Sequence, residues 1–173
     1  MVSRSTGSLY APGMWILSPA VAAPAVVEVR ADHSVVGTVA LPITPERLRE
    51  RLADPTWIAS IDGGGTTVTV ESRAGDCLTM ESVSPSVVKT VRYRVERCRT
   101  ATGFEENLVA SDTFEAYRVR WTVEPAPEGA LLRYDIATRT SLMVPQWLID
   151  QQTQRGVQRM LDHLHAALSA QSP

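Results

Sequence analysis

Apolar and polar residues alternate through most of the middle of the chain, and short turn-rich clusters break the alternation at intervals. Val68 and Val70 alternate with Thr67, Thr69 and Glu71; Leu78 and Met80 with Thr79 and Glu81; Val91, Tyr93 and Val95 with Arg92, Arg94 and Glu96. A segment from Phe104 follows, then Tyr117, Val119, Trp121 and Val123, and finally Leu132, Tyr134 and Ile136. The breaks fall at residues 72–76, 84–86, 100–103, 111–112 and 125–129, each rich in Gly, Pro, Ser or Asp. A period of two predicts half-buried strands, and their succession predicts an antiparallel meander with one apolar and one wet face. Only the last stretch changes period. Val157, Met160, Leu161, Leu164 and Leu168 recur at helical spacing, predicting one helix over residues 145–170. Its length is roughly 39 Å at 1.5 Å per residue, and Pro145 suits its first position.

Two β-branched-rich runs precede the meander, at residues 25–31 and 35–41, separated by the turn-like Asp32-His33-Ser34. Val27, Val29, Val35, Val39 and Leu41 are expected on one face. Thr44-Pro45-Glu46 and Asp54-Pro55-Thr56 each read as a helix start, with an oxygen-bearing cap followed by proline. Two short helices follow, the second carrying Trp57 and Ile61. Gly63-Gly64-Gly65 precedes a strand and lacks a following Lys-Ser/Thr, so it reads as a joint and not a phosphate loop.

Composition narrows the function classes. The 173 residues suit a single domain with its own core, and the formal net charge of −2 gives no reason to expect nucleic acid or an anionic membrane as partner. No run is long enough to span a membrane as a helix. Three scattered histidines and two distant cysteines make no metal-ligand pattern, and no Gly-x-Ser-x-Gly elbow is present. No cofactor or catalytic set is expected, and a monomer is the expected state.

Cys77 and Cys98 are either two buried thiols or one disulfide. Both have the parity of the outer face, where free thiols would be a liability and a disulfide would not. A tight hairpin about Pro85 would set Cys77 opposite Tyr93, so pairing with Cys98 needs a bulge or a longer turn. Residues 1–24 read as a leader, either disordered or signal-like, with Arg4, an apolar stretch and Ala20-Val21-Ala22 as a small-x-small site. Residues 25–170 would be the domain and 171–173 a tail. A disulfide would favour an exported location over the cytoplasm.

The element order is strand, two proline-capped helices, antiparallel strands, then a long C-terminal helix. With residues 36–48, 52–55 and 142–148, this order resembles the START-like superfamily, which includes polyketide cyclase/dehydrase and lipid-transport proteins. The resemblance implies an α+β helix-grip fold, a curved antiparallel sheet wrapped around the long helix, over residues 25–168. It also implies a cavity for a hydrophobic, lipid-like or polyketide-like molecule, bound without catalysis. A cyclase, aromatase or dehydratase is the alternative, and an interaction module with a filled core is a third. The superfamily has no shared catalytic signature, so no catalytic residue follows.

The parity of the strands supplies the candidate cavity: Met80, Tyr93, Tyr117, Trp121 and Tyr134 from the sheet, Trp57 and Ile61 from the second helix. Glu106 shares the inward parity of Phe104 and Leu108, and an inward carboxylate needs a partner; Arg97 is the expected one. In the long helix the apolar stripe lapses over residues 151–156. Trp147, Thr153 and Gly156 are therefore expected to border a ligand.

Overall fold

The computed structural model describes residues 25–62, 64–85 and 89–170. The leader at residues 1–24 and the tail at 171–173 lie outside the described residues. Eight strands form one antiparallel sheet: β1 (Val26–Val29), β2 (Val35–Leu41), β3 (Thr67–Ala74), β4 (Cys77–Ser84), β5 (Val91–Arg99), β6 (Gly103–Ser111), β7 (Phe114–Ala126) and β8 (Gly129–Thr140). The spatial order is β1-β2-β8-β7-β6-β5-β4-β3, so the last strand returns to pair with the second and the meander is joined to the opening hairpin. Helices α1 (Pro45–Leu52) and α2 (Pro55–Ile61) connect β2 to β3, and α3 (Gln146–Ser169) closes the chain. This is the helix-grip architecture.

The starts of both short helices are made by the expected chemistry. Thr44 Oγ1 accepts from the Arg47 amide and Asp54 Oδ1 from the Thr56 amide, with proline at the first position of each helix. Pro145, in contrast, sits one place earlier than expected, at the cap position of α3, and offers no side-chain cap. Asp150, one turn into the helix, accepts from Gln146 Nε2 at 2.7 Å and meets His33 Nδ1 at 2.8 Å. His33 itself has φ of 65°, the left-handed backbone of a tight turn.

Helix α3 lies on β1 and β2 with Val157, Met160, Leu161, Leu164 and Leu168 buried. Gly37 in β2 is what lets it come close. A Cβ there would stand 2.5 Å from Leu161 Cδ1 and 2.8 Å from Val157 Cγ1. The polar residues of α3 have a structural task as well: Gln154 and Gln158 donate to the carbonyls of Val27 and Ala25, pairing groups at the sheet edge. The opening strand keeps its expected parity, with Val27 and Val29 opposite Gly37 and Val35. Val27 packs partly into the core, whereas Val29, on the same face but at the end of this four-residue strand, is exposed.

Cys77 and Cys98 form a disulfide, directly opposed across β4 and β5. The expected obstacle disappears through the longer turn. The ladder closes at Ser84↔Val91, so the connection takes residues 85–90 and is not centred on Pro85. Among the described residues, one grouping has metal-ligand proximity, Cys77, Glu96 and Cys98, and its two thiols are already consumed by the disulfide.

Candidate functional site

Between the concave face of the sheet, α2 and the front half of α3 lies a cavity of about 310 Å³. That is at the small end of the ~300–1,000 Å³ range of ligand pockets. Five aromatic side chains line it: Tyr93 from β5, Phe114, Tyr117 and Trp121 from β7, and Tyr134 from β8. Tyr93, Phe114 and Tyr117 pack as a trio with ring centroids 5.0–5.5 Å apart, and Trp121 meets Tyr134 edge-on at 4.5 Å. Met80 and Val91 come from β4 and β5, Ile58 from α2, and Ile149, Thr153, Gly156, Val157 and Met160 from α3.

At its wall is a buried ion pair. Arg97 and Glu106 are direct cross-strand partners in β5 and β6, and Arg97 Nη1 donates to Glu106 Oε1 at 2.8 Å. Both side chains are nearly inaccessible, at 2% and 7% exposure. A buried pair survives only if its remaining polar atoms find partners. Arg97 Nη2 donates to the Leu52 carbonyl at 2.6 Å, placing the cation on the C-terminal turn of α1 where the helix dipole favours it. Trp121 Nε1 donates to Glu106 Oε1 at 3.1 Å. The guanidinium also stands over the rings of Phe104 at 4.5 Å and Trp121 at 5.4 Å. Burial pulls the Arg97 guanidinium below its ordinary range, and the Glu106 carboxylate opposes that shift.

Burial also pushes the phenols of Tyr93, Tyr117 and Tyr134 above their ordinary range. The Glu106 charge adds to the shift at Tyr93 and Tyr134, and Tyr93 adds to it at Tyr117. All three stay neutral at physiological pH and keep their hydroxyl protons. Tyr93, Tyr117, Ser82 and Ser84 all line this space. A hydroxyl patch thus lies at the β4–β5 side, extended by Thr66 and Ser84, whose oxygens are 3.0 Å apart.

Of the residues expected at the site, Met80, Tyr93, Arg97, Glu106, Tyr117, Trp121, Tyr134, Thr153 and Gly156 are brought together around this space. Trp57, Ile61 and Trp147 are not among its lining residues. On α2, Pro55, Ile58 and Ala59 point inward; Trp57, one residue before Ile58, is turned about 100° away and lies by the Arg51 guanidinium. Ile61 packs against the core from beside α3, where its carbonyl meets His163 Nδ1 at 3.0 Å. Trp147 is 64% exposed, being two residues and about 200° from the inward Ile149.

Four lining residues, Phe114, Ser82, Ser84 and Ile149, were missed in the sequence. Phe114 has the outward parity of its strand, and a bulge between Phe114 and Ala116 turns it inward. Ser82 and Ser84 continue the inward series of Leu78 and Met80 but are polar; their parity was the available signal. Ile149 belongs to a stripe with Thr153, Gly156, Val157 and Met160, at i, i+4, i+7, i+8 and i+11. That stripe is legible once Thr153 and Gly156 count as inward positions.

Residues 32–171 match the family of polyketide cyclase/dehydrase and lipid-transport proteins. The chain belongs to that family. Solved structures share the fold of this family member at low identity. A Thermus thermophilus protein superimposes with a TM-score of 0.73 at 19% identity, over 81% of this chain and 99% of its own. A START superfamily protein from Mycobacterium smegmatis gives 0.71 at 14%, over 80% and 99%. The Zhui aromatase/cyclase from Streptomyces sp. R1128 gives 0.67 at 14%, over 79% and 93%. No curated protein matches the chain. Among the described residues, no helix is long and apolar enough to cross a membrane.

Proposed function

We propose that this family member binds a small hydrophobic molecule in the cavity, lipid-like or polyketide-like, without transforming it. The observation that carries the reading is a pocket with an aromatic wall whose charged groups are already paired with each other. Such a site offers apolar area for affinity and a few polar groups for orientation. It offers little for catalysis. The lining holds no histidine, lysine or cysteine among the described residues, and the tyrosines titrate far from neutrality, where proton transfer is inefficient. The disulfide further supports an oxidising, exported location.

Organic extraction of the purified protein followed by mass spectrometry tests the reading directly. An apolar species should co-purify, or an apolar fluorescent dye should bind and be displaceable. Failure of both would favour an interaction module instead.

The second reading, a cyclase- or dehydratase-type enzyme, is favoured by the neutral phenols facing Glu106, which could orient carbonyl and hydroxyl groups. Glu106→Gln separates the two. A binder keeps its ligand with weakened affinity, whereas an enzyme keeps binding and loses turnover. Intact mass with and without reductant, on protein recovered from each cell fraction, tests the exported location. Reduced protein confined to the cytoplasm would overturn it.

A further inference from the structure

We infer that the cavity selects a neutral ligand whose polar end is a hydroxyl, and rejects the same skeleton carrying a carboxylate. This rests on the ligand-binding reading above and names the ligand's chemistry. The charges of the lining decide it. Among the described residues, Arg97 is the one cation in the wall, against two carboxylates, Glu106 and Asp62. Arg97 is already engaged, its charge met by Glu106. Its Nη1 donates to Glu106 and its Nη2 to the Leu52 carbonyl, while its Nε has no partner but is buried, with no accessible surface facing the cavity. An anion entering this space would meet a wall whose one cation is already neutralised by Glu106 and whose remaining charge, on Asp62, is of its own sign.

A hydroxyl meets the opposite situation. Glu106 takes both of its hydrogen bonds, from Arg97 and from Trp121, on Oε1, so Oε2 keeps its accepting capacity for a donor in the cavity. The Tyr134 phenol, neutral through burial, lines the same wall and can donate to the oxygen of that hydroxyl. One O–H group therefore both donates and accepts here, which a carboxylate does not.

The probes are 2-naphthol and 2-naphthoate, matched in skeleton and compared by titration calorimetry at pH 7, where a phenol is neutral and a carboxylic acid ionised. Naphthol is expected to bind at least about thirtyfold more tightly. Glu106→Gln leaves the Arg97 charge unopposed, so the preference should shrink from both sides: naphthoate gains about tenfold and naphthol loses severalfold. Asp62→Asn leaves the buried pair intact and serves if Glu106→Gln does not fold; naphthoate should then gain about threefold. Equal affinity for the two probes, or a naphthoate affinity that the foldable variant does not raise, overturns the selection alone. Absence of binding by both probes overturns the ligand-binding reading and the selection with it.

Discussion

Gly37 of β2 and Gly156 of α3 stand on facing elements, and their surroundings divide the molecule in two. A side chain at Gly37 would collide with Leu161 and Val157, whereas a Cβ on Gly156 would meet nothing within 4 Å. Around Gly37 the protein is solid. Val35, Val39, Leu132, Leu161 and Leu164 are all 2% exposed or less, and helix and sheet approach as closely as glycine permits. Around Gly156 the same helix has drawn away from the sheet, and the gap is the cavity. One half is held by apolar contact. The other has given up part of that contact and carries cross-links instead, the Arg97–Glu106 pair and the Cys77–Cys98 disulfide, both on β4 to β6. An apolar void forfeits dispersion and burial, so a fold that keeps one open must be stabilised at its walls.

The largest test of this division is the ion pair. Arg97→Met leaves Glu106 buried without its cation and the Leu52 carbonyl without its donor, and should cost about 3–5 kcal/mol in a denaturant titration. Adding Glu106→Leu should restore most of the loss, because two apolar groups in place of a buried pair are close to neutral. If the double variant is as unstable as the single, the pair is not what holds this wall. Next comes the staple. The disulfide closes a sequence separation of 21 residues, and replacing both cysteines with alanine should cost roughly 3 kcal/mol by the loop-entropy argument. The same replacement should lower affinity for an apolar dye, since the strands it joins also carry Met80, Tyr93 and Arg97.

The solid half was the more legible in the sequence, and the reason is physical. Its information is local and periodic: Thr44 and Asp54 before prolines, strand alternation, and the stripe from Val157 to Leu168. These patterns state which face is buried. They also sufficed to bring Arg97, Glu106 and the tyrosines to one face, because each strand's own alternation states which of its side chains point inward. What was not legible depends on register itself. The bulge that turns Phe114 inward adds one residue to one strand, and nothing in the local composition marks it. The pairing of Ser84 with Val91 sets Cys77 against Cys98, while Pro85 alone suggests a tighter turn. Trp57 was expected at the cavity as part of the second helix and Trp147 as part of the front half of the long one; the angular position of each on its helix decides otherwise. The front of α3 read as a polar lapse, whereas Ile149, Thr153 and Gly156 continue the stripe with smaller or more polar residues, because its partner across the gap is space and not a strand.

The two glycines supply the smaller tests, and they differ in sign. Gly37→Ala inserts a methyl group into a region where Leu161 has no room to retreat, since its side chain is fully buried, and a cost of about 1–3 kcal/mol is expected. Gly156→Ala faces open space, so only the backbone responds. Removing a mid-helix glycine should stabilise the protein by about 0.5–1 kcal/mol, read as a rise in the denaturant midpoint at unchanged slope. That such a gain is available, and has been left untaken, suits a wall whose shape serves a ligand. Extending the series to Gly156→Leu separates the two contributions. The leucine should keep most of the helix gain while its side chain occupies the cavity, so stability holds and dye binding falls by about tenfold or more. If Gly156→Leu bound dye as well as the parent, the space beside the helix would not be where the ligand lies, and the division between the two halves would have to be drawn elsewhere.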